Sequence, residues 1–347
     1  MRNILFYIRD FFFRVDKWLL LACALLAALL VVCNYTFHIE TRWLYSLTPG
    51  WPRFLGFFAL YAVAFIVPWL FLLARRVRRE TSNVKRQTSA PSHVSRFTSH
   101  DSRFRSHDSR LTSHDSGLPT PDFRLILLLL TAPAIFALKV SFPKPTVLWQ
   151  LWLTEPWSSY YTVVSNLPFR LLLVALPLWL LWRIQRHESF WGLTTRNFQW
   201  KPYALMLLVM VPLIAFASTQ PDFLRAYPKL RQVDFILPYI RHSWPYKLLF
   251  EISYGLDFVS IELFFRGFLV FAFVRYVGAD AILPMAVFYC SIHFGKPLFE
   301  CISSFFGGML LGIVSYRTRS ILGGFMVHVG IAWMMEIGGA IGHSLQQ

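Results

Sequence analysis

Runs of about twenty residues with almost no charge recur along this chain from near its start to its end. A bilayer core of about 30 Å is crossed by roughly 20 apolar helical residues. About nine segments meet that requirement, near Trp18 to Asn34, Phe54 to Ala74, Leu125 to Leu138, Val163 to Trp182, Pro202 to Ser218, Lys247 to Arg275, Ala281 to His293, Phe299 to Tyr316 and Ile321 to Ala340. The third and seventh are short. The runs are continuous and not alternating, which excludes a membrane β-barrel, and their recurrence excludes a signal peptide followed by a globule. The expected fold is all-α, a polytopic transmembrane helical bundle of about eight to nine spans.

Charge placement decides what the formal +16 means. With 56% hydrophobic and 15% charged residues the chain is not a soluble nucleic-acid binder, and its Lys and Arg sit between apolar runs. Placing the N-terminus inside puts 21 of them on the inner side and ten on the outer, so the positive-inside rule predicts a cytoplasmic N-terminus. The loop from Thr219 to Pro245 and the lysine just after it run against that rule, with Arg225, Lys229, Arg231, Arg241 and Lys247 on the outer side. The expected partner is the lipid bilayer, with no nucleic acid. Cys23, Cys33, Cys290 and Cys301 lie in or at the ends of apolar segments without zinc or disulfide spacing, and read as packing residues.

Between the second and third segments stands a tandem repeat of seven residues, SHVSRFT, SHDSRFR, SHDSRLT and SHDSGLP. No unit offers two apolar positions for a coiled-coil seam, so this polar tract predicts a disordered cytoplasmic linker; a metal-binding tract through His93, His100, His107 and His114 is the lesser reading. The expected organisation is a two-span hairpin over 1–79, the linker over 80–122, middle spans over 123–240 and a last membrane domain over 241–347.

Ionisable groups inside membrane spans are costly, which makes each a functional candidate. The sixth segment holds Glu251, Asp257, Glu262 and Arg266, and helical spacing puts Glu262 and Arg266 one turn apart on one face, an expected buried ion pair. His293 and His328 fall in two further spans. A Glu and two His converging at membrane depth can polarise a water or ligate a metal such as zinc, and spacing does not separate the two. Glycines in FFGGMLLG, and Gly323, Gly324 and Gly330 beyond, allow the close helix approach that would bring the histidines to Glu262.

These residues resemble the CAAX protease and bacteriocin-processing family of intramembrane proteases, which includes Ras-converting CAAX endopeptidases and lysostaphin-resistance-type proteins. IELFFRG, Ile261 to Gly267, is similar to the family's motif of two glutamates, three residues and an arginine. Tyr289 to His293 matches the motif of an aromatic ahead of a histidine, and HVGIA, His328 to Ala332, is similar to the motif of a histidine, three residues and an Asn. The resemblance covers about the last hundred residues. It implies that a first glutamate and first histidine activate water while the last His and Asn stabilise the oxyanion. Carried across, Glu262 is the second glutamate, Arg266 the arginine, and His293 and His328 the two histidines, while Ile261 and Ala332 stand where the first Glu and the Asn belong. Asp257, one turn before Ile261, and Glu336, one turn after Ala332, are the carboxylates that helical geometry offers as supports for those two positions.

The function that the resemblance implies is an intramembrane endopeptidase acting on a membrane-anchored peptide or protein, in a bacterial inner membrane, with Glu262, His293 and His328 catalytic. The alternative is a family member that has lost catalysis and serves as a membrane binding, immunity or scaffold protein. No cofactor is expected. A zinc ion between Glu262, His293 and His328 is the other possibility that the residue types leave open, although a carboxylate already paired with Arg266 is a poor ligand.

Overall fold

Two of the long helices start where the sequence supplies an aspartate cap. After α1 (Arg2–Arg14), the Asp16 carboxylate accepts from the amides of Trp18 and Leu19 and opens α2 (Lys17–Phe37). A left-handed His38 closes α2, and a π-helical turn, Ile39–Leu44, leads into α3 (Trp51–Thr88). The computed structural model describes residues 2–88, 122–185, 189–196, 198 and 200–346, so the seven-residue repeats read as a disordered linker lie outside the described residues. Asp122 caps α4 (Phe123–Ser141) through the amide of Arg124. There follow α5 (Thr146–Gln150), α6 (Trp157–Gln185), α7 (Trp200–Ala217), α8 (Pro221–Ala226) and a 3-10 helix, Lys229–Tyr239. The last part comprises α9 (Trp244–Glu262), a π-helical segment Leu263–Phe268, the short α10 (Leu269–Phe271) and α11 (Val274–Val277), then α12 (Ile282–Ser291), α13 (Leu298–Thr318) and α14 (Leu322–Ser344). Among the described residues there is no strand.

Among the described residues, seven helices are long and apolar enough to cross a bilayer: Lys17–Phe37, Trp51–Arg78, Phe123–Gln150 (α4 with its extension through α5), Trp157–Gln185, Trp200–Ala217, Leu298–Thr318 and Leu322–Ser344. The chain is therefore an integral membrane protein with an all-α polytopic fold. The sixth and seventh of the segments expected from sequence differ from the rest. Lys247, Glu251, Asp257 and Glu262 make α9 too charged to count by composition. Helix α12 has ten residues, about 15 Å of helix against a core of about 30 Å.

That short helix holds the bundle together. All ten of its residues are buried, and it packs against α2, α3 and α13. Enclosure by protein is what permits a helix of half the bilayer thickness, because its end groups find protein partners in place of lipid. Aromatic rings lock it in place: Phe288 lies 5.1 to 5.9 Å from Tyr61, Phe65, Phe136, Phe264 and Phe265. Such ring pairs at these separations add about 0.5–1.5 kcal/mol each beyond their area burial. Against the other side of the last domain, α14 packs on α7 and α9.

Candidate active site

The site forms where α9 changes into a π-helix. Glu262 is the last residue of α9 and Arg266 lies within the π segment, and both are fully buried. The predicted ion pair is present at 3.5 Å between Arg266 Nη1 and Glu262 Oε1. A π turn holds more residues than an α turn, so positions four apart no longer superpose, which is consistent with this long separation. The guanidinium also stacks over the Tyr289 ring, 4.0 Å from its centroid.

Tyr289 stands between the two histidines. Its hydroxyl is 2.5 Å from His328 Nε2, while its ring centroid is 4.7 Å from that of His293 and 5.8 Å from that of His328. His328 Nδ1 is 2.6 Å from Glu262 Oε1. A carboxylate only accepts, so Nδ1–H is the donor there and Nε2 of the neutral ring accepts from the Tyr289 hydroxyl. Phe258 stacks on the imidazole at 5.5 Å. His293 Nδ1–H donates to the carbonyl of Tyr289 at 2.9 Å, which leaves its Nε2 as an acceptor without a protein partner among the described residues. Glu262 Oε2 and the three guanidinium nitrogens of Arg266 have no hydrogen-bond partner either. Buried polar groups of this kind are ordinarily satisfied by water or a ligand.

The turn that carries His293 is held from the distant N-terminal hairpin. Asn34 Nδ2 donates to Phe294 O at 3.0 Å, and the Tyr35 hydroxyl donates to Lys296 O at 2.5 Å. Asn34 Oδ1 accepts from the Glu40 amide at 3.0 Å, and the Glu40 carboxylate lies against Gly295. Burial pushes the Glu40 carboxyl up to about 7, against the opposing pull of the Gly295 amide and Lys296. Its folded value thus lies above its ordinary 4.5, so the fold prefers the protonated acid. This contribution is complete below pH 4.5 and is lost as the pH rises through 7, amounting to at most about 3 kcal/mol. Glu40→Gln is expected to flatten the melting temperature between those two pH values, measured on detergent-solubilised protein. An unchanged pH profile would show that Glu40 does not titrate in that window.

Two of the residues named from sequence are engaged elsewhere. Asp257 Oδ1 pairs with the buried Lys139 Nζ of α4 at 2.8 Å, and Lys139 also donates to Ser260 Oγ at 2.6 Å. Glu336 accepts from the amides of Lys229 and Leu230 at 2.7 and 2.9 Å, which anchors the 3-10 helix. Ile261 and Ala332 are buried at the positions of the family's first glutamate and Asn. Tyr289 and Lys139 were the partners that sequence reasoning left out of the site. Tyr289 was visible as the aromatic of the second motif, whereas Lys139, alone in an apolar run 121 residues before Ser260, was the signal for the ion pair.

Both nitrogens of His328 are committed, Glu262 Oε1 is shared by Arg266 and His328, and among the described residues no three His, Cys, Asp or Glu side chains converge as ligands. The four cysteines are free thiols, three of them buried.

Residues 245–334 match the family model described as type II CAAX prenyl endopeptidase Rce1-like, a protease family, in agreement with the resemblance carried by the three motifs. No curated protein and no solved structure matches the chain. The matched residues run from the start of α9 into α14, so they include Glu262, Arg266, Tyr289, His293 and His328 but not Asn34, Glu40 or Lys139.

Proposed function

We propose that this protein is an intramembrane endopeptidase that hydrolyses a peptide bond in a membrane-associated protein or peptide. The observation that carries the reading is the pair of imidazoles held in defined tautomers on either side of Tyr289. His293, with Nδ1–H fixed on a carbonyl, offers Nε2 as the base that takes a proton from the attacking water and returns it to the leaving amine. Glu262 orients His328 in the manner of a carboxylate behind a catalytic histidine. The Tyr289 hydroxyl, whose proton is held by His328 Nε2 before substrate binds, turns that proton to the developing oxyanion in the place of the Asn that Ala332 replaces. Because the site is enclosed by helices, a substrate anchored in the bilayer reaches it laterally, and the positive-inside arrangement gives the protein a cytoplasmic N-terminus in a bacterial inner membrane.

Cleavage of a membrane-anchored reporter peptide by the reconstituted full-length protein tests the reading. His293→Ala, His328→Ala and Glu262→Gln at matched protein level are each expected to lower kcat/KM by at least about a hundredfold. Tyr289→Phe retains the ring and its packing, and is expected to lower kcat by roughly 10² with KM little changed. Full activity in all four variants would turn the reading to its alternative, a non-catalytic binding, immunity or scaffold protein. The apolar burial of Ile261 and Ala332 favours that alternative.

A further inference from the structure

The cations that run against the positive-inside rule gather at one place in the fold. Arg225, Lys229 and Arg231 line an open cavity of about 840 Å³ at the ends of α7 and α14, together with His343, Pro221 and Leu224, and no carboxylate lines it. Among the described residues none of the three cations is within ion-pair distance of an acid. Arg225 Nε donates to Pro221 O at 3.3 Å, and Arg231 Nη1 lies 3.0 Å from His343 Nε2. The nearby acids are already bound, Glu336 by two amides and Glu300 by Lys296 and Tyr227. Burial, and then repulsion by Lys296, hold the Lys229 ammonium down to about 8, although Glu300 and Glu336 oppose this.

Depth in the membrane is given by the surface beside the cavity. Helices α7 and α14 pack together through Ile214 and Met335, and their outer faces carry exposed Phe216, Ile337 and Ile341, followed by Leu345. This apolar surface ends at the helix termini, where Arg225, Arg231 and His343 begin. An apolar face rimmed at its end by cations complements a molecule with an acyl chain and an anionic head. We propose that this cavity binds the phosphodiester headgroup of an anionic phospholipid, with the acyl chains lying along α7 and α14. A structural role of this kind explains why Arg225, Lys229 and Arg231 stand in a loop that topology alone would leave poor in cations. The inference does not depend on the peptidase reading.

Purified full-length protein in detergent, titrated with phosphatidylglycerol or phosphatidylcholine of matched chains and read by native mass spectrometry, tests it. Wild type is expected to prefer phosphatidylglycerol by at least tenfold. At roughly fivefold per cation, the triple variant Arg225→Gln, Lys229→Gln, Arg231→Gln is expected to lose on the order of a hundredfold and fall to the phosphatidylcholine level. Millimolar inorganic phosphate is expected to leave the lipid bound. Equal retention of the two lipids by wild type, or undiminished phosphatidylglycerol binding by the triple variant, overturns the proposal. Complete displacement by phosphate replaces it with a site for the free anion. Should the triple variant not accumulate, Arg225→Gln and Arg231→Gln change exposed side chains one at a time, and full lipid retention in both overturns the proposal equally.

Discussion

Gly324→Ala is expected to abolish peptide cleavage and to lower the melting temperature, although it adds a single methyl group to a helix that favours alanine. Gly324 lies in the first turn of α14, directly against Glu262. A Cβ there would fall 2.0 Å from Glu262 Oε2 and 2.9 Å from its Cδ, which no pair of atoms tolerates. The carboxylate has nowhere to retreat, because Glu262 and Arg266 are both fully buried and Oε1 is held at 2.6 Å by His328. The strain is relieved only by moving α14 away from α9, and that movement parts His328 from Glu262. Overpacking of this kind costs typically about 1–3 kcal/mol. Parting the buried Glu262–His328 hydrogen bond adds to that, since a buried polar group left without its partner costs about 1–3 kcal/mol. Gly307→Ala is the matched comparison, because nothing lies within 4 Å of a Cβ at that position. It is expected to be neutral or stabilising by up to about 1 kcal/mol. Thermal unfolding and reporter cleavage on the two variants side by side check this, and equal behaviour would mean that Glu262 is not locked as described.

Lys139→Met is expected to destabilise the protein by about 3–5 kcal/mol. Lys139 is one of the most buried cations in the bundle, with 4% of its side chain exposed, and it reaches both Asp257 and Ser260. Methionine fills much of the same volume and keeps the contact with Phe136, over whose ring the ammonium now sits at 5.3 Å, so the loss is electrostatic and not one of packing. The Asp257 carboxylate, largely buried and bonded, among the described residues, only to the Ser260 hydroxyl, is left without its counter-ion. Adding Asp257→Asn removes the stranded charge and is expected to restore most of the stability. The same pair of variants separates two roles for Asp257. As a structural partner of Lys139, it leaves cleavage intact in the double variant; as a group acting on the substrate, its loss lowers cleavage while the melting temperature recovers.

The three motifs in the last hundred residues were legible because each is local. IELFFRG places Glu262 and Arg266 within one helical turn, and the 3.5 Å ion pair is what that spacing predicts, lengthened by a π turn that no propensity announces. His293 and His328 were nameable as isolated imidazoles in apolar runs, and the structure gathers both around Tyr289. The carboxylates Asp257 and Glu336 were nameable on the same grounds. Their partners were not, because Lys139 and the amides of Lys229 and Leu230 come from other parts of the chain. The hold of Asn34 on Phe294, across 260 residues, was invisible for the same reason.

Taken alone, the sequence determined that the chain lives in a bilayer, seven of the nine segments expected to cross it, and which polar groups are too costly to be there by accident. Hydropathy and helical periodicity are properties of one segment at a time, and a charge inside an apolar segment needs a partner whichever partner that is. Only the tertiary structure decided which polar groups meet: the Glu262, His328 and Tyr289 chain, the Lys139 to Asp257 pair, and the N-terminal clamp on the His293 turn. It also decided that α12 crosses only part of the bilayer, since a ten-residue helix is stable there once α2, α3 and α13 surround it. Those outcomes depend on how helices far apart in the chain are rotated and stacked, and periodicity within a segment carries no information about that.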